Sequence, residues 1–310
     1  MASPQAHVAA WLVRLRLKRA LARTSDVAVV RRLFAPLPFP IPADIELARG
    51  EIGGVAGEWV CRSSARAGAA TLLYLHGGGY IACSAETHHA ITVFYAQQGF
   101  RVFAPNYRLA PEHRFPSAVD DALAVWCGLI ESGARHAVIS GESAGGGLCC
   151  ALMLAARDAG LPLPAAAAIF SPWVDLACSG ESMRRNARRC AMLSAHGMGM
   201  AASDYLGTAD PRHPLASPLY GDLRGLPPLL IHAGANEILL DDSTRLAERA
   251  RAAGVPVALR VFPVVPHAWQ LAHRLIPEAR ESLAEASGFL QAAVEAAQAG
   301  AGSVAPRPVA

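Results

Sequence analysis

Six short apolar runs, each closed by Gly, Pro or a polar residue, constrain the fold of this 310-residue chain more than any other feature. They are TLLYLH (71–76), RVFAPNY (101–107), AVISG (137–141), AAAAIFSP (165–172), PLLIHAG (228–234) and VALRVFP (257–263). Each is apolar on both faces, as strands buried inside a parallel sheet are. Helical stretches lie between most of them: AITVFYAQQG (90–99), AVDDALAVWCGLIESG (118–133), AGGGLCCALMLAARDAG (144–160) and STRLAERARAAG (243–254). That alternation predicts an α/β fold with a mostly parallel central sheet flanked by helices.

Two regions break the alternation. Residues 1–45 read as helix followed by a Pro-rich turn, PLPFPIP (36–42). Residues 180–214 interrupt the late strands with SMRRNARRCAMLSAHGMGMAASDYLG, which has helical spacing. Both are read as helical pieces packed together above the sheet. The expected division is N-terminal cap helices over 1–45, a first part of the core over 46–179 and a cap insertion over 180–214. A second part of the core follows over 215–296, then a flexible tail over 297–310. Within the first piece, LVRLRLKRALAR (12–23) alternates basic and apolar residues, as an amphipathic helix does. The expected arrangement is a helix docked by its apolar face, with a membrane-surface helix as the alternative.

Hydrophobic residues make up 53% of the chain and charged residues 17%, enough for a substantial core and unlike a disordered chain. A net charge of +3 is too mild to argue for a nucleic-acid partner. No run reaches the length of a membrane span, and Arg14, Arg16, Lys18 and Arg19 break the only candidate signal-peptide segment. No stable membrane anchor is expected. The seven cysteines are odd in number and form no CxxC, which suggests neither a disulfide framework nor a zinc site. Reduced thiols fit a cytoplasmic protein.

Four stretches carry chemistry, and each falls at the C-terminal end of an expected strand, where active sites of open parallel sheets lie. GESAG (141–145) fits G-x-S-x-G after a strand and before a helix. It makes Ser143 a candidate nucleophile on a tight turn, with small neighbours at Gly141 and Gly145 and a helix dipole pointing at it. An idle glycine-rich loop is the alternative. HGGGY (76–80) offers backbone N–H groups of Gly77, Gly78 and Gly79 that, with Ala144, would form an oxyanion hole. A phosphate loop would want Lys-Ser or Lys-Thr after the glycines, and Tyr80-Ile81 does not supply it. His76 is read as shaping that loop.

PHAW (266–269) places His267 on a loop after the last strand and downstream of the serine. His273, expected inside the following helix, is its nearest rival; His232 reads as structural, and His88, His89 and His113 precede the serine. HAGANEILLDDS (232–243) offers Glu237, Asp241 and Asp242. Glu237 comes first after the strand, whereas Asp241 and Asp242 are placed to cap the next helix. The order Ser143, Glu237, His267 is nucleophile, acid, base.

With these motifs the chain resembles the hormone-sensitive-lipase-like branch of the α/β-hydrolases, the bacterial family IV esterases. HGGGY matches its HGGG box and GESAGG its GDSAGG box, with Glu142 where Asp is usual. YRLAPEHRFPSAVDDA (107–122), SPWVDL (171–176) and SPLYGDLRGLPP (217–228) are close to its signatures. The resemblance implies an α/β-hydrolase fold with a helical cap, built from the N-terminus and an insertion. It implies a serine carboxylesterase acting on short- to medium-chain acyl esters, including lactones or acetyl esters, without metal or cofactor. Residue by residue it puts the nucleophile on Ser143, the base on His267 and the acid on Glu237, where the family commonly has Asp. Glu142 is read as a brace for the turn.

The expected partner is a small-molecule ester, and a homodimer stays open. A non-catalytic small-ligand receptor on the same fold and an amidase are the alternatives. Met192, Met198 and Met200 either line an acyl pocket or pack the cap on the core. Trp173 and Tyr80 are equally open.

Overall fold

The computed structural model describes residues 2–65 and 69–302. Its centre is an eight-stranded sheet in the order β1-β2-β4-β3-β5-β6-β7-β8. The strands are β1 (Ile45–Ile52), β2 (Val55–Arg62), β3 (Thr71–Leu75), β4 (Arg101–Pro105), β5 (Val138–Glu142), β6 (Ala167–Phe170), β7 (Leu229–Gly234) and β8 (Val257–Phe262). From β4 to β8 all pairings are parallel; β1 and β2 join antiparallel at one edge.

The six apolar runs are β3 to β8. The β1–β2 hairpin lies outside them because its strands alternate between buried and open residues. Such one-sided strands lack the continuous apolar signature. Their connection, Gly53-Gly54, holds both residues at positive φ (+59° and +78°), the geometry of a two-residue hairpin turn. That Gly-Gly pair is the signal that could have announced them.

Alternation along the strands divides the interior in two. Leu73, Leu75, Ile139, Ile169 and Ile231 face one core with Trp126, Leu148 and Leu246. These last three lie on α5 (Ser117–Glu131), α6 (Ala144–Asp158) and α9 (Leu240–Ala252). Leu72, Tyr74, Val138, Ala168 and Leu230 face the other, with Ile91, Tyr95, Leu283 and Leu290 from α4 (His89–Gln97) and α10 (Pro277–Gly302). The result is a three-layer αβα sandwich.

The N-terminal piece holds α1 (Pro4–Val13), a π-helical turn (Arg14–Lys18), α2 (Arg19–Leu21) and α3 (Val27–Leu33). The insertion holds α7 (Ser182–Arg185) and α8 (Ala195–Leu206). Lys18 Nζ ties the two pieces together by donating to Ala187 O and Cys190 O, both at 2.7 Å. Arg31 pins α3 to the core through Ile81 O at 2.8 Å and a bidentate pair with Glu112.

The stretch 12–23 turns its two faces as expected: Val13, Leu15, Leu17 and Leu21 are half-buried, while Arg14, Arg16 and Arg19 are exposed. Only Ala6 of α1 is buried, while Val8, Trp11 and Leu12 lie exposed. The hold of α1 comes from the small Ala6 in a local core with Phe262, Trp269 and Ile276, and from its N-cap Ser3, whose N–H and hydroxyl donate to the Glu278 carboxylate. Residues 297–302, expected within the flexible tail, belong to α10, which runs to Gly302; residues 303–310 of that expectation lie outside the described ones. Among the described residues no helix is long and apolar enough to cross a membrane.

Candidate active site

Strand β5 ends at Glu142 and α6 begins at Ala144, leaving Ser143 on the turn between them. Its backbone sits at φ +56° and ψ −123°, a region that costs a non-glycine residue on the order of 1–3 kcal/mol. Three hydrogen bonds hold it there. Ser143 N donates to Phe170 O at 2.9 Å, and Ser143 O accepts from Trp173 N at 2.9 Å and Gly147 N at 3.1 Å. The turn also needs bare neighbours, since a Cβ on Gly145 would lie 2.0 Å from Leu75 O. As the first residue of α6, Ala144 has an N–H with no intrahelical acceptor, at the positive end of the helix dipole. Trp173 and Tyr80 pack beneath this turn, both buried, and neither lines the cavity above it.

The HGGG loop follows β3. Gly78 has φ +106°, and a Cβ there would meet Ala82 O at 2.1 Å. Gly78 and Gly79 line the same cavity as Ser143. Among the described residues their N–H groups have no protein acceptor. Gly77 differs from its neighbours: its amide faces the Glu142 carboxylate. His76 lies under the loop, outside the cavity. Its Nδ1–H donates to Gly77 O at 2.7 Å, its ring stacks on Tyr107, and Tyr107 Oη donates to His76 O at 2.6 Å. Burial, helped by neighbouring His88 and only partly opposed by the bond to Gly77 O, pushes the His76 pKa down to about 3. A neutral ring packed this way holds the loop's shape.

The loop after β7 turns so that Glu237 points at the loop after β8. His267 Nδ1–H donates to Glu237 Oε2 at 2.5 Å. The other carboxylate oxygen accepts from Ser171 Oγ at 2.6 Å and Gly234 N at 2.8 Å. With the proton on Nδ1, His267 Nε2 is an acceptor, and it has no hydrogen-bond partner among the described residues. Burial works to lower the His267 pKa, but the charge and hydrogen bond of Glu237 and the charge of Glu142 outweigh it and leave it raised.

Asp241 and Asp242 do not approach His267, nor do they cap α9, whose N-cap position is Leu239. Asp241 accepts from Ser182 N at 2.8 Å and pairs with Arg185, tying the insertion down. Asp242 accepts from the N–H groups of Val174 and Asp175. His273 closes a short 3₁₀ turn (Trp269–Ala272) and packs on Phe94, outside the helix expected for it. His232 is buried in β7 against Ser282.

Ser143, His267, Gly78 and Gly79 open on one cavity of about 530 Å³. Its walls come from both helical pieces: Val30, Phe34 and Leu37 from the first, Met192, Met198 and Met200 from the second. Several residues of the site carried no readable signal of their own. Ser171, at φ +40°, follows β6 and bonds the acid. Asn186 of the insertion donates to Ala235 O at 3.0 Å and Glu237 O at 2.8 Å, fixing the acid's loop. His88, set aside because it precedes the serine, also lines the cavity. All three depend on contacts more than 45 residues apart in sequence.

Comparison with known proteins agrees with this geometry. Residues 72–271 match a family model described as the α/β-hydrolase fold. The chain is similar to an acetyl-hydrolase of Streptomyces hygroscopicus, 44% identical over 245 residues that cover 78% of this chain and 81% of the relative. It is also similar to an ethyl acetate hydrolase of Pseudomonas putida, 36% identical over 71% of each chain. Among solved structures it superposes on the esterase EstE5 with a TM-score of 0.91 at 36% identity, covering 95% of this chain and all of the other. It superposes on an esterase of the bacterial hormone-sensitive lipase family with a TM-score of 0.87 at 37% identity, covering 95% and 99%.

Proposed function

The chain belongs to the α/β-hydrolase family, in its bacterial hormone-sensitive-lipase branch, and on that premise we propose that it hydrolyses short- to medium-chain carboxylic esters through Ser143, His267 and Glu237. The observation that carries this reading is the orientation of His267. Glu237 takes Nδ1, so Nε2 is left a free acceptor on the cavity that Ser143 also faces.

His267 Nε2 removes the Ser143 proton as Oγ attacks the ester carbonyl. The tetrahedral oxyanion is met by the N–H groups of Gly78, Gly79 and Ala144. His267 passes the proton to the departing alcohol and leaves an acyl group on Ser143. A water, deprotonated by the same Nε2, then attacks the acyl carbon, and the carboxylic acid departs as Oγ takes its proton back. Glu237 stabilises the imidazolium in both steps and keeps Nδ1 the protonated nitrogen.

The cavity volume lies within the ordinary range for small-ligand sites, and its apolar lining supports acyl chains longer than acetyl. The relatives named for acetyl groups and ethyl acetate support the short end of the range. Hydrolysis of p-nitrophenyl esters from acetate to octanoate, with matched anilides, separates these readings and the amidase alternative. Ser143→Ala lowers kcat by about 10⁶-fold, and a serine-directed phosphonate labels the unaltered protein at Ser143 and not the variant. Retention of activity or of labelling in Ser143→Ala overturns the assignment.

A further inference from the structure

A buried carboxylate stands beside His267 that the reaction above does not use. Glu142 is 3% exposed at the end of β5. A carboxylate so deep costs several kcal/mol unless it is paired, and a residue that only braces a turn has no need of a charge. Its two oxygens are divided between two elements. Oε1 accepts from His88 Nε2–H at 3.0 Å, and Oε2 lies 3.9 Å from His267 Nε2. The HGGG loop is cut to admit it: a Cβ on Gly77 would fall 1.7 Å from Oε1.

The 3.9 Å separation decides what Glu142 can do. It is too long for a hydrogen bond, so it leaves Nε2 free for Ser143. It is close enough for the carboxylate to favour a charged ring. His88 is built to keep Glu142 ionised. Its Nδ1 faces Ser84 O at 3.2 Å and Thr87 Oγ1 at 2.8 Å, and Thr87 spends its own hydroxyl proton on Ser84 O. Burial works to raise the Glu142 pKa, yet His88, through its hydrogen bond and charge, with help from His267 and the Gly77 amide, brings it below the ordinary value.

We infer that Glu142, held by His88 and the Gly77 amide, is a second carboxylate for His267 that stabilises the imidazolium formed when His267 takes the Ser143 proton. The inference rests on the roles proposed above for Ser143 and His267. Glu142 touches no reacting atom, so it is a positioning residue. It also couples the oxyanion loop to the base, since the carboxylate that faces Nε2 is the one that the Gly77 amide faces.

The test is the pH profile of kcat/KM, whose acid limb reports the His267 pKa in the free enzyme. The ionisable groups facing His267 here are Glu237 and Glu142; those facing Glu142 are His88, His267, Tyr74, Cys83 and Tyr107. A carboxylate beside His267 raises its pKa, so removing the charge lowers it. In Glu142→Gln the acid limb moves down by about one pH unit while the plateau falls about tenfold. Loss of packing alone lowers the plateau without moving the limb in that direction. Glu142→Asp keeps the charge and returns both limb and plateau towards the unaltered protein. His88→Leu strips Glu142 of its partner, so the carboxylate takes up a proton and the limb again moves down. The double variant moves it no further than Glu142→Gln alone. A limb that stays in place in Glu142→Gln or, should that variant not fold, in His88→Leu overturns the inference. Failure of the underlying reading looks different: Ser143→Ala would then stay active.

Discussion

Ser143 and Leu37 line the same cavity, yet they are held in opposite ways. Ser143 is 6% exposed on a left-handed turn fixed by three backbone hydrogen bonds. Leu37 is 84% exposed in a Pro-rich segment without regular structure. The same contrast runs through the two regions they belong to. On the sheet side, positions are set by distances that leave no slack, such as the 2.0 Å that a Cβ on Gly145 would leave to Leu75 O. On the cap side, α1 buries only Ala6, and Lys18 and Arg31 fasten the helices by reaching across to the carbonyls of other segments. Reaction geometry must be held to fractions of an ångström. Apolar fit to a flexible acyl chain needs no such precision. The lesson is that damage to the sheet side should abolish turnover, whereas change in the cap should redistribute it among substrates.

Beyond the nucleophile itself, the sharpest probe of the sheet side is the acid. Glu237→Gln removes the acceptor of the Nδ1 proton and lets the imidazole adopt the wrong tautomer, and kcat falls by about 10⁴-fold. Asp241→Asn leaves His267 untouched and weakens only the tie to Ser182 and Arg185, so kcat changes by about threefold or less. Steady-state rates on p-nitrophenyl butyrate decide the matter. The reverse order of effects would make Asp241 the triad acid and break the comparison at its strongest point.

The next effect in size belongs to the HGGG loop. Gly78→Ala forces a side chain onto φ +106° and into Ala82 O, which displaces the N–H groups of Gly78 and Gly79. Loss of such a donor lowers kcat by about 10²–10³-fold with little change in KM. A variant that folds and keeps its kcat would show that these amides do not meet the oxyanion.

This division also explains what could be read from the sequence. The strands β3 to β8 were legible because strands buried on both faces read as continuous apolar runs, and the elbow and the HGGG loop because tight backbone geometry admits few residues and Gly-rich strings betray it. Glu237 was chosen over Asp241 by its place directly after β7, and the structure joins it to His267. Ser171 and Asn186 were not legible, because a hydroxyl and an amide are common side chains whose roles arise only when β6 and the insertion fold onto the acid's loop. Chain order excludes His88 as the base and says nothing about a partner for Glu142. The alternation in 12–23 shows which residues turn inward, Val13, Leu15, Leu17 and Leu21, but not that Lys18 reaches the carbonyls of Ala187 and Cys190, a contact made only when the insertion folds against it.

The smallest effect tests the cap side. Ala201 of α8 is 6% exposed, lines the cavity and lies over Gly79, so a Cβ on that glycine would sit 3.5 Å from the Ala201 Cβ. Ala201→Leu adds three carbons to the cavity wall at that point. An acetyl ester occupies little of the cavity, so its kcat/KM stays within about threefold. A hexanoyl ester must compete with the new side chain, and its kcat/KM falls about tenfold, the low end of what one or two methylenes decide in an apolar pocket. The midpoint of urea unfolding shifts little because the added volume enters open cavity rather than packed core. If both esters slow equally, the substitution has disturbed the oxyanion loop through Gly79. The cap at Ala201 would then share the rigidity of the sheet side, and the boundary between the two regions would have to be drawn above α8 instead of below it.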